Sequence, residues 1–406
     1  QRVSDERLAP GWTSYQKRIH SQTYDVTKLM KEGKNAIGAT LADGWYSGYV
    51  AYALISDVDG TVPGVYGRYL YGATPALRVQ LELELADGSR QTITSDTTWK
   101  TALGPITESD ILMGESYDAR KEISGWSTPG FDSTAWQAAV CKTGSDAKVE
   151  PHPGVPVRAI EEMPAKTVRE HQPGVFIYDL GQNISGVARL KVKGKSGDKV
   201  TIRYAEILHA DGRLSTENLR GARAVDTYIL KGDPAGETWT PEFTYHGFQY
   251  VELTGFPGKP ELDAVTGIVI HSDTPRHGTF VTSDPMLNRL YQNMCWTQRA
   301  NFFEVPTDCP QRDERMGWTG DAQIYVRAAT FNADISAFYT KWLRDLNDDA
   351  WDYGAYPAYA PRPLARPNEH HAAGWMDAGV ICPWTIWQVY GDTRVIAEHW
   401  QKMNDF

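Results

Sequence analysis

One segment of the chain, residues 304–321, concentrates side chains that could carry out chemistry on a polar substrate. It contains carboxylates, guanidinium groups, a thiol and an indole: Glu304, Asp308, Cys309, Arg312, Asp313, Glu314, Arg315, Trp318 and Asp321. Four residues that interrupt regular structure lie among them: Pro306, Pro310, Gly317 and Gly320. The segment is therefore predicted to be a shaped loop that forms a pocket for a polar ligand. A structural network of ion pairs is the alternative.

The same segment resembles the signature of a known enzyme family. Residues 308–321 read DCPQRDERMGWTGD and look like the motif of bacterial α-L-rhamnosidases, a large family of inverting glycoside hydrolases. Four further segments are similar to that family's β-domains and follow in the family's order: residues 41–46, 114–120, 178–186 and 243–253. The resemblance therefore extends over essentially the whole chain.

The resemblance implies that Glu314 is a general acid. Inverting hydrolysis uses one protonated carboxyl group for the leaving oxygen and a second, about 6.5–9.5 Å away, to activate water. The alternative for Glu314 is an ion pair with Arg312 or Arg315. Two arginines would lower the pKa of Glu314, whereas an acid needs it raised. We therefore expect both guanidinium groups to bind neighbouring carboxylates or sugar hydroxyls, and the indole of Trp318 to desolvate Glu314.

The loop also supplies the residues that the resemblance implies for sugar binding. Asp308 and Asp321 would accept hydrogen bonds from adjacent hydroxyl groups. Trp318 would face the apolar side of a deoxy sugar, where rhamnose carries a methyl group. Arg312 would bind hydroxyls, but a structural role is equally compatible with its position.

Two residues further along, Trp375 and Asp377, correspond to positions where family members supply additional pocket residues. For Asp377, capping of a helix N-terminus is the alternative. The general base of the family is a glutamate far downstream of the acid on another helix. Neither Asp321 nor Asp377 lies in a motif that would make it the base, so we expect the base beyond Phe406.

The pattern of apolar residues along the chain predicts the elements that position these side chains. Together with the resemblance, it indicates a multidomain protein with two β-sandwich or jelly-roll-like modules followed by the first helices of an (α/α)6 barrel. The predicted divisions are a first β-module, a linker, a second β-module and a truncated helical domain: 1–140, 141–155, 156–272 and 278–406. Apolar residues alternate along one strand of the first module (Leu77, Val79, Leu81, Leu83 and Leu85), and residues 86–88 predict a hairpin turn after it.

Helical signals begin after residue 282. Residues 283–285 carry a capping side chain and a proline, which is typical of a helix start. An amphipathic helix is predicted from six apolar residues at helical spacing: Ile335, Phe338, Tyr339, Trp342, Leu343 and Leu346. Residues 380–390 are apolar nearly all round, which predicts a buried helix that Pro383 kinks. Glycine at 391 and Asp392 predict the end of this helix and the cap of another.

We count about five helices, whereas the barrel of the resembling family has twelve. The first residues also read as the interior of a β-domain. The expectation is therefore a fragment that lacks both ends and is inactive on its own.

Bulk properties exclude several classes of function. The net charge is −10, with no prominent basic cluster, which argues against nucleic acid as a partner. No apolar stretch approaches the roughly 18 residues that a membrane span needs. The cysteines have no CxxC spacing, residues 369–371 (Glu-His-His) lack an HExxH-type pattern, and no acidic loop has calcium spacing. No metal or cofactor is therefore predicted.

The resemblance implies a hydrolase that releases terminal, non-reducing α-linked L-rhamnose from glycosides or polysaccharides with inversion. The residues by themselves predict only a sugar-sized polar pocket. Two alternatives stay open: a carbohydrate-binding protein without catalysis, and another glycosidase or lyase built on a helical barrel. Rhamnose release by this polypeptide, or sugar binding that survives Glu314→Gln, would discriminate between the hydrolase and the binding protein. Product analysis on rhamnosides would separate the other helical-barrel enzymes.

Overall fold

A computed structural model describes residues 1–52, 67–142, 144–363 and 372–406 of the chain. The residues at 369–371, which the sequence analysis considered as metal ligands, lie outside these ranges. The described residues contain six α-helices: α1 (Gly44–Ser47), α2 (Pro285–Asn301), α3 (Thr319–Asn332), α4 (Ser336–Asp349), α5 (Ala378–Tyr390) and α6 (Thr393–Asp405).

The same residues contain 21 strands, most of them before α2. They are β1 (Glu6–Arg7), β2 (Arg18–Ser21), β3 (Gln80–Glu84), β4 (Arg90–Thr94), β5 (Lys100–Thr101), β6 (Ile106–Asp110), β7 (Gly114–Asp118), β8 (Gln137–Ala138), β9 (Lys148–Pro151), β10 (Val157–Pro164), β11 (Thr167–Gln172), β12 (Val175–Val192), β13 (Lys199–Ala205), β14 (Ile207–Leu208), β15 (Leu214–Ser215), β16 (Val225–Ile229), β17 (Glu237–Trp239), β18 (His246–Thr254), β19 (Val265–Ser272), β20 (Phe302–Phe303) and β21 (Val305–Pro306). The predicted order of sheet first and helices later is confirmed. Two short elements are exceptions, and neither was predicted from the sequence: helix α1 within the first β region and the β20–β21 hairpin after α2.

One sheet of eleven strands dominates the β region. Its main path runs β1-β10-β19-β12-β18-β13-β16-β7-β6, and β11 and β17 pair with β12. The central strand β12 is 18 residues long and shifts register against β18 between Asp179 and Ile184. Such a shift bends a strand, so its two halves can join differently oriented parts of the sheet. Its inward residues Tyr178, Val187 and Leu190 are fully buried in the core.

The first 140 residues contribute strands to this sheet rather than forming a wholly separate one. Strand β1 pairs with β10, and β7 pairs in parallel with β16. Within the segment predicted as a linker, β9 pairs in parallel with β2. The domain boundaries themselves stay predictions.

The predicted hairpin at residues 86–88 is present between β3 and β4. The face predicted to be buried is covered only in part. Leu81 and Leu83 are half-buried, whereas Leu77 and Leu85 are exposed. The reason is topological, because β3 and β4 pair only with each other among the described residues and have no large sheet behind them.

The helical signals correspond to observed helices. Asp284 caps α2 by accepting hydrogen bonds from the backbone N–H groups of Met286 and Leu287. Helix α4 buries its predicted apolar face. Gly391 ends α5 in a left-handed conformation, and Asp392 caps α6. None of the described helices is long and apolar enough to cross a membrane.

The prediction that α5 is buried all round is wrong. Cys382 and Ile386 are buried, but Ile381 and Trp384 are exposed, the latter by 49%. Helix α5 packs on α3, α4 and α6, which cover one side of it. Its other side has no covering element among the described residues.

Helix α4 also carries a buried charged face against the N-terminal segment. The Lys341 ammonium is 1% exposed, lies 2.7 Å from Asp345 Oδ2 and 3.8 Å from Glu304 Oε2, and donates a hydrogen bond to the carbonyl of Trp12. Burial raises the pKa of Asp345 to about 7, although Lys341 opposes the shift. The ion pair therefore lies in a site where an unpaired charge is costly.

Replacing Lys341 by methionine should destabilise the folded chain by about 3–5 kcal/mol, because two acids lose their buried counter-charge. The midpoint of thermal unfolding, measured by calorimetry, checks this. The matched control is the double variant Lys341→Met with Asp345→Leu, which should recover much of the loss. Equal stability of the single and double variants would contradict the assignment of Lys341 as the compensating charge.

Candidate active site

The acidic segment forms a closed loop between β21 and α3. The backbone N–H of Asp308 donates to the carbonyl of Met316 (3.2 Å), and the N–H of Met316 donates back to Asp308 Oδ1 (3.0 Å). A side chain at Gly317 would collide with the carbonyl oxygen of Ala360, 2.4 Å from the position of its Cβ. The loop is therefore shaped by its own contacts and by close packing, as its prolines and glycines predict.

Arg315 fastens this loop to the β region. Its guanidinium group is buried and donates to the backbone carbonyls of Ile111 (2.8 Å) and Tyr245 (2.7 Å), and it lies over the Tyr245 ring. No hydrogen bond or ion pair to Glu314 is recorded for it among the described residues. Arg315 is therefore a structural residue. It leaves Glu314 free, as expected, but its partners are backbone carbonyls rather than the expected carboxylates or sugar hydroxyls.

Glu314 lies at the centre of a convergence of donors. Its Oε1 accepts from Tyr52 Oη (2.8 Å) and Trp318 Nε1 (2.9 Å). Its Oε2 accepts from Arg220 Nη2 (2.8 Å) and Arg312 Nε (3.0 Å). Tyr52 comes from the N-terminal β region, Arg220 from the sheet region, and the others from the loop. Three parts of the chain thus meet on one carboxylate that is 7% exposed.

The expectation that Glu314 has a raised pKa is wrong. Burial raises its pKa, but the hydrogen bond from Tyr52 and the charges of Arg312 and Arg220 outweigh burial and hold the pKa below its usual value. Arg312 was expected to bind other acids or a sugar instead. It does bind Asp308, but it reaches Glu314 as well.

Asp308 is the loop carboxyl whose pKa rises. Its Oδ2 accepts from Arg312 Nη2 (3.0 Å), so Arg312 bridges Asp308 and Glu314. Burial is the main cause that raises the pKa of Asp308 to about 6, and the nearby charge of Glu314 adds to it. The two carboxylates therefore compete for one guanidinium group, which is 35% exposed in its side chain.

The same cluster is the nearest approach to a metal site in the described ranges. Asp308, Cys309 and Glu314 each bring one potential ligand atom within 4.8 Å of the others. Burial raises the pKa of the Cys309 thiol, which makes a free thiolate unfavourable at this position. Arg312 already supplies positive charge to both acids. The donor set therefore favours an organic ligand over a cation.

Three other predicted pocket residues are less directly connected to Glu314: Asp321, Trp375 and Asp377. Asp321 is exposed in the first turn of α3. Trp375 is exposed, and its indole lies 2.7 Å from the position of a Cβ at Gly320. It therefore covers the start of α3 beside Asp321. Asp377 Oδ2 accepts from the N–H of Gly374 (3.0 Å).

Asp377 occupies the position before α5, but its side chain makes no capping hydrogen bond to that helix. Its carboxylate stabilises the preceding turn instead. This contact corresponds neither to the predicted role in the pocket nor to the alternative role as a helix cap.

Tyr52 and Arg220 were not predicted from the sequence. They lie 262 and 94 residues before Glu314, and no local motif marks them. A cavity of about 270 Å³ lies elsewhere, bordered by Gly11, His152 and Glu304 and without Glu314 in its lining. We assign the site to the convergence on Glu314, because that is where donors and acids meet.

Comparison with known proteins identifies the family. The N-terminal domain of α-L-rhamnosidases matches residues 1–161, and the bacterial α-L-rhamnosidase concanavalin-like domain matches residues 169–271. The bacterial α-L-rhamnosidase six-hairpin glycosidase domain matches residues 275–406, which include the loop. The chain belongs to the bacterial α-L-rhamnosidase family. The predicted fold class, with β-modules followed by barrel helices, is confirmed by these matches.

Individual proteins similar to this chain are α-L-rhamnosidases as well. An α-L-rhamnosidase of Streptomyces avermitilis is 48% identical over 402 residues, which are 98% of this chain and 37% of that protein. An α-L-rhamnosidase of Formosa agariphila is 40% identical over 99% of this chain and 42% of its own length. The chain thus spans about two fifths of the length of these curated relatives.

Solved rhamnosidase structures have the same fold. The S. avermitilis α-L-rhamnosidase complexed with L-rhamnose superposes with a TM-score of 0.91 at 46% identity, covering 100% of this chain and 38% of that one. The native enzyme of Aspergillus terreus gives a TM-score of 0.91 at 38% identity, covering 100% of this chain and 46% of that one.

Proposed function

We propose that this chain forms the acid-bearing part of an α-L-rhamnosidase, which hydrolyses terminal non-reducing α-L-rhamnose from rhamnosides with inversion, and that Glu314 is its general acid. The observation that carries the proposal is the convergence of Tyr52, Arg220, Arg312 and Trp318 on the Glu314 carboxylate. The relatives' activity and the bound L-rhamnose of the S. avermitilis enzyme supply the substrate class.

A general acid must hold a proton, so the pKa of Glu314, which its hydrogen-bonding partners hold low, has to rise when substrate binds. Arg312 offers the route. It is partly exposed and bridges two acids, so sugar hydroxyls can draw its guanidinium group away from Glu314. Loss of an adjacent cation raises a carboxyl pKa. Substrate would thus prepare the proton donor that its own cleavage requires.

Asp308 cannot be the second catalytic carboxyl group in this arrangement. Its ligand atom lies within 4.8 Å of that of Glu314, and Arg312 contacts both acids on the same side. An inverting pair is about 6.5–9.5 Å apart, with the sugar and a water between the two groups. Asp308 is better suited to accept hydrogen bonds from sugar hydroxyls, and Trp318 to cover the apolar side of the ring. The base lies outside this loop.

L-Rhamnose binding to the 406-residue chain tests the sugar site without requiring turnover. We expect replacement of Trp318 by alanine to weaken binding about two- to tenfold, since an aromatic contact contributes about 0.5–1.5 kcal/mol beyond its buried area. Isothermal titration calorimetry measures this. Trp400→Ala, which changes an exposed tryptophan on α6, is the matched control and should bind as the parent chain does. Equal weakening of L-rhamnose binding in both variants would contradict the assignment of the sugar site to this loop.

A carbohydrate-binding protein without catalysis is the second candidate, and the ionised state of Glu314 favours it. A binding site can use a carboxylate that an acid catalyst would need protonated. Sugar binding that survives Glu314→Gln, combined with no rhamnose release by a polypeptide containing the complete helical domain, would favour this candidate.

A further inference from the structure

Arg220 connects the sheet region to the candidate acid through two consecutive residues. It directly follows a 3-10 turn, Glu217–Leu219, and has a positive φ of 52°. Its Nε donates to Asp313 Oδ1 (2.8 Å), while its Nη2 donates to the carbonyl oxygen of Asp313 and to Glu314 Oε2 (2.8 Å). The guanidinium group of Arg220 thus contacts the side chain and the backbone carbonyl of Asp313 and the carboxylate of Glu314.

The residues that Arg220 holds are strained and enclosed. Asp313 is 0% exposed, and its N–H donates to the carbonyl of Leu219 (3.4 Å). Glu314 has a φ of 148°, a conformation that residues with side chains rarely adopt. Such a conformation persists only where the surroundings determine it. The contacts of Arg220 are among those that do so.

Tyr52 completes the arrangement from the N-terminal β region. Its hydroxyl donates to Glu314 Oε1, its ring lies 5.5 Å from the Arg220 guanidinium carbon, and the neighbouring Ala51 forms a β-bridge with Glu314. The two oxygens of Glu314 are therefore fixed from two different β regions as well as from its own loop. A fork-shaped guanidinium suits this task better than an ammonium group, because it makes several directed hydrogen bonds at once.

We propose that Arg220 is a positioning residue for Glu314: by clamping Asp313 and Glu314 Oε2, it makes the β-sheet region set the orientation and charge of the acid in the helical region. The inference rests on the proposed role of Glu314. Within the described ranges, the other ionisable or charged groups around the Glu314 carboxylate are Tyr52, Asp308, Cys309, Arg312 and Asp313.

The sign of the expected effect follows from these neighbours. Arg220 and Arg312 are the cations that contact Glu314 among the described residues, and both stabilise its ionised form. Burial and the negative charge of Asp308 both favour the protonated form of Glu314, and Arg220 opposes them. Removing Arg220 should therefore raise the proton affinity of Glu314. An adjacent opposite charge changes a proton affinity by about tenfold or more. A role limited to loop packing would not produce this change.

The test is a carbon-13 NMR titration of the 406-residue chain labelled at its glutamate carboxyl groups. The signal of Glu314 is identified by its loss in Glu314→Gln. We expect Arg220→Met to raise the titration midpoint of Glu314 by at least the equivalent of a tenfold gain in proton affinity. Arg220→Lys, which keeps the charge but loses the fork, should keep the midpoint nearer to that of the parent chain.

Arg223→Met is the matched control. Arg223 lies in the same loop and pairs with Glu108 (2.8 Å) and the carbonyl of Met113 (3.2 Å), away from Glu314. Its replacement should leave the Glu314 midpoint unchanged. An unchanged midpoint in Arg220→Met, or an equal shift in Arg223→Met, would overturn the proposal. Because the titration needs no turnover, its outcome is independent of whether the complete enzyme releases rhamnose.

Discussion

Replacing Glu314 by glutamine should lower kcat/KM on an alkyl α-L-rhamnoside by about 10²–10⁴-fold, in a polypeptide that contains the complete helical domain. Glutamine keeps the shape and accepts some of the same hydrogen bonds, but it cannot deliver a proton to the leaving oxygen. Initial rates of rhamnose release measure the effect. L-Rhamnose binding should be reduced far less than turnover, because the four donors of the site remain.

Glu304→Gln is the control for this variant. Glu304 lies in the same segment and is also buried, but it pairs with His152 (3.2 Å) away from the site. Its effect on kcat/KM, measured on folded protein, should be small beside that of Glu314→Gln. A comparable loss in both variants would indicate a general disturbance of the loop rather than loss of an acid.

The 406-residue chain by itself should hydrolyse an aryl α-L-rhamnoside negligibly. Inversion needs a second carboxyl group across the sugar, and among the residues that the structure describes the acids nearest to Glu314 are unsuitable. Asp308 shares Arg312 with it, and Asp313 is fully buried against Arg220. Without a suitably placed base, the rate of hydrolysis should fall by about 10²–10⁴-fold. Release of nitrophenol, followed by absorbance, measures this.

The control is a polypeptide extended through the complete helical domain, which should be active under the same conditions. Efficient turnover by the 406-residue chain that disappears in Glu314→Gln would contradict the prediction. It would mean that a carboxyl group of this chain serves as the base.

Local elements were predictable because their signals are local. The start of α2, the apolar face of α4 and the end of α5 each depend on residues within a few turns of one another. The loop was also predictable, since prolines and glycines in an acidic segment restrict the backbone where they stand. The burial of α5 was not, because whether Ile381 and Trp384 are covered depends on neighbouring elements rather than on their own sequence.

The electrostatics of the site depended on contacts that no local pattern records. From the sequence, the candidate partners of Glu314 were Arg312 and Arg315, which lie close to it in the chain. In the structure, Arg315 donates to backbone carbonyls instead. The carboxylate of Glu314 accepts hydrogen bonds from Arg220 and Tyr52, which lie far away in the sequence. These two long-range donors are a large part of why the pKa of Glu314 is lowered rather than raised.

The most direct test of the central claim, that Glu314 is the general acid, compares leaving groups in the complete-domain polypeptide. The measurement is the ratio of kcat/KM between the parent and Glu314→Gln on a methyl rhamnoside and on a dinitrophenyl rhamnoside. Methoxide must be protonated as it leaves, whereas dinitrophenolate need not be. The ratio should be about 10²–10⁴ for the methyl substrate and close to one for the dinitrophenyl substrate. Equal losses on both substrates would contradict the assignment of Glu314 as the proton donor.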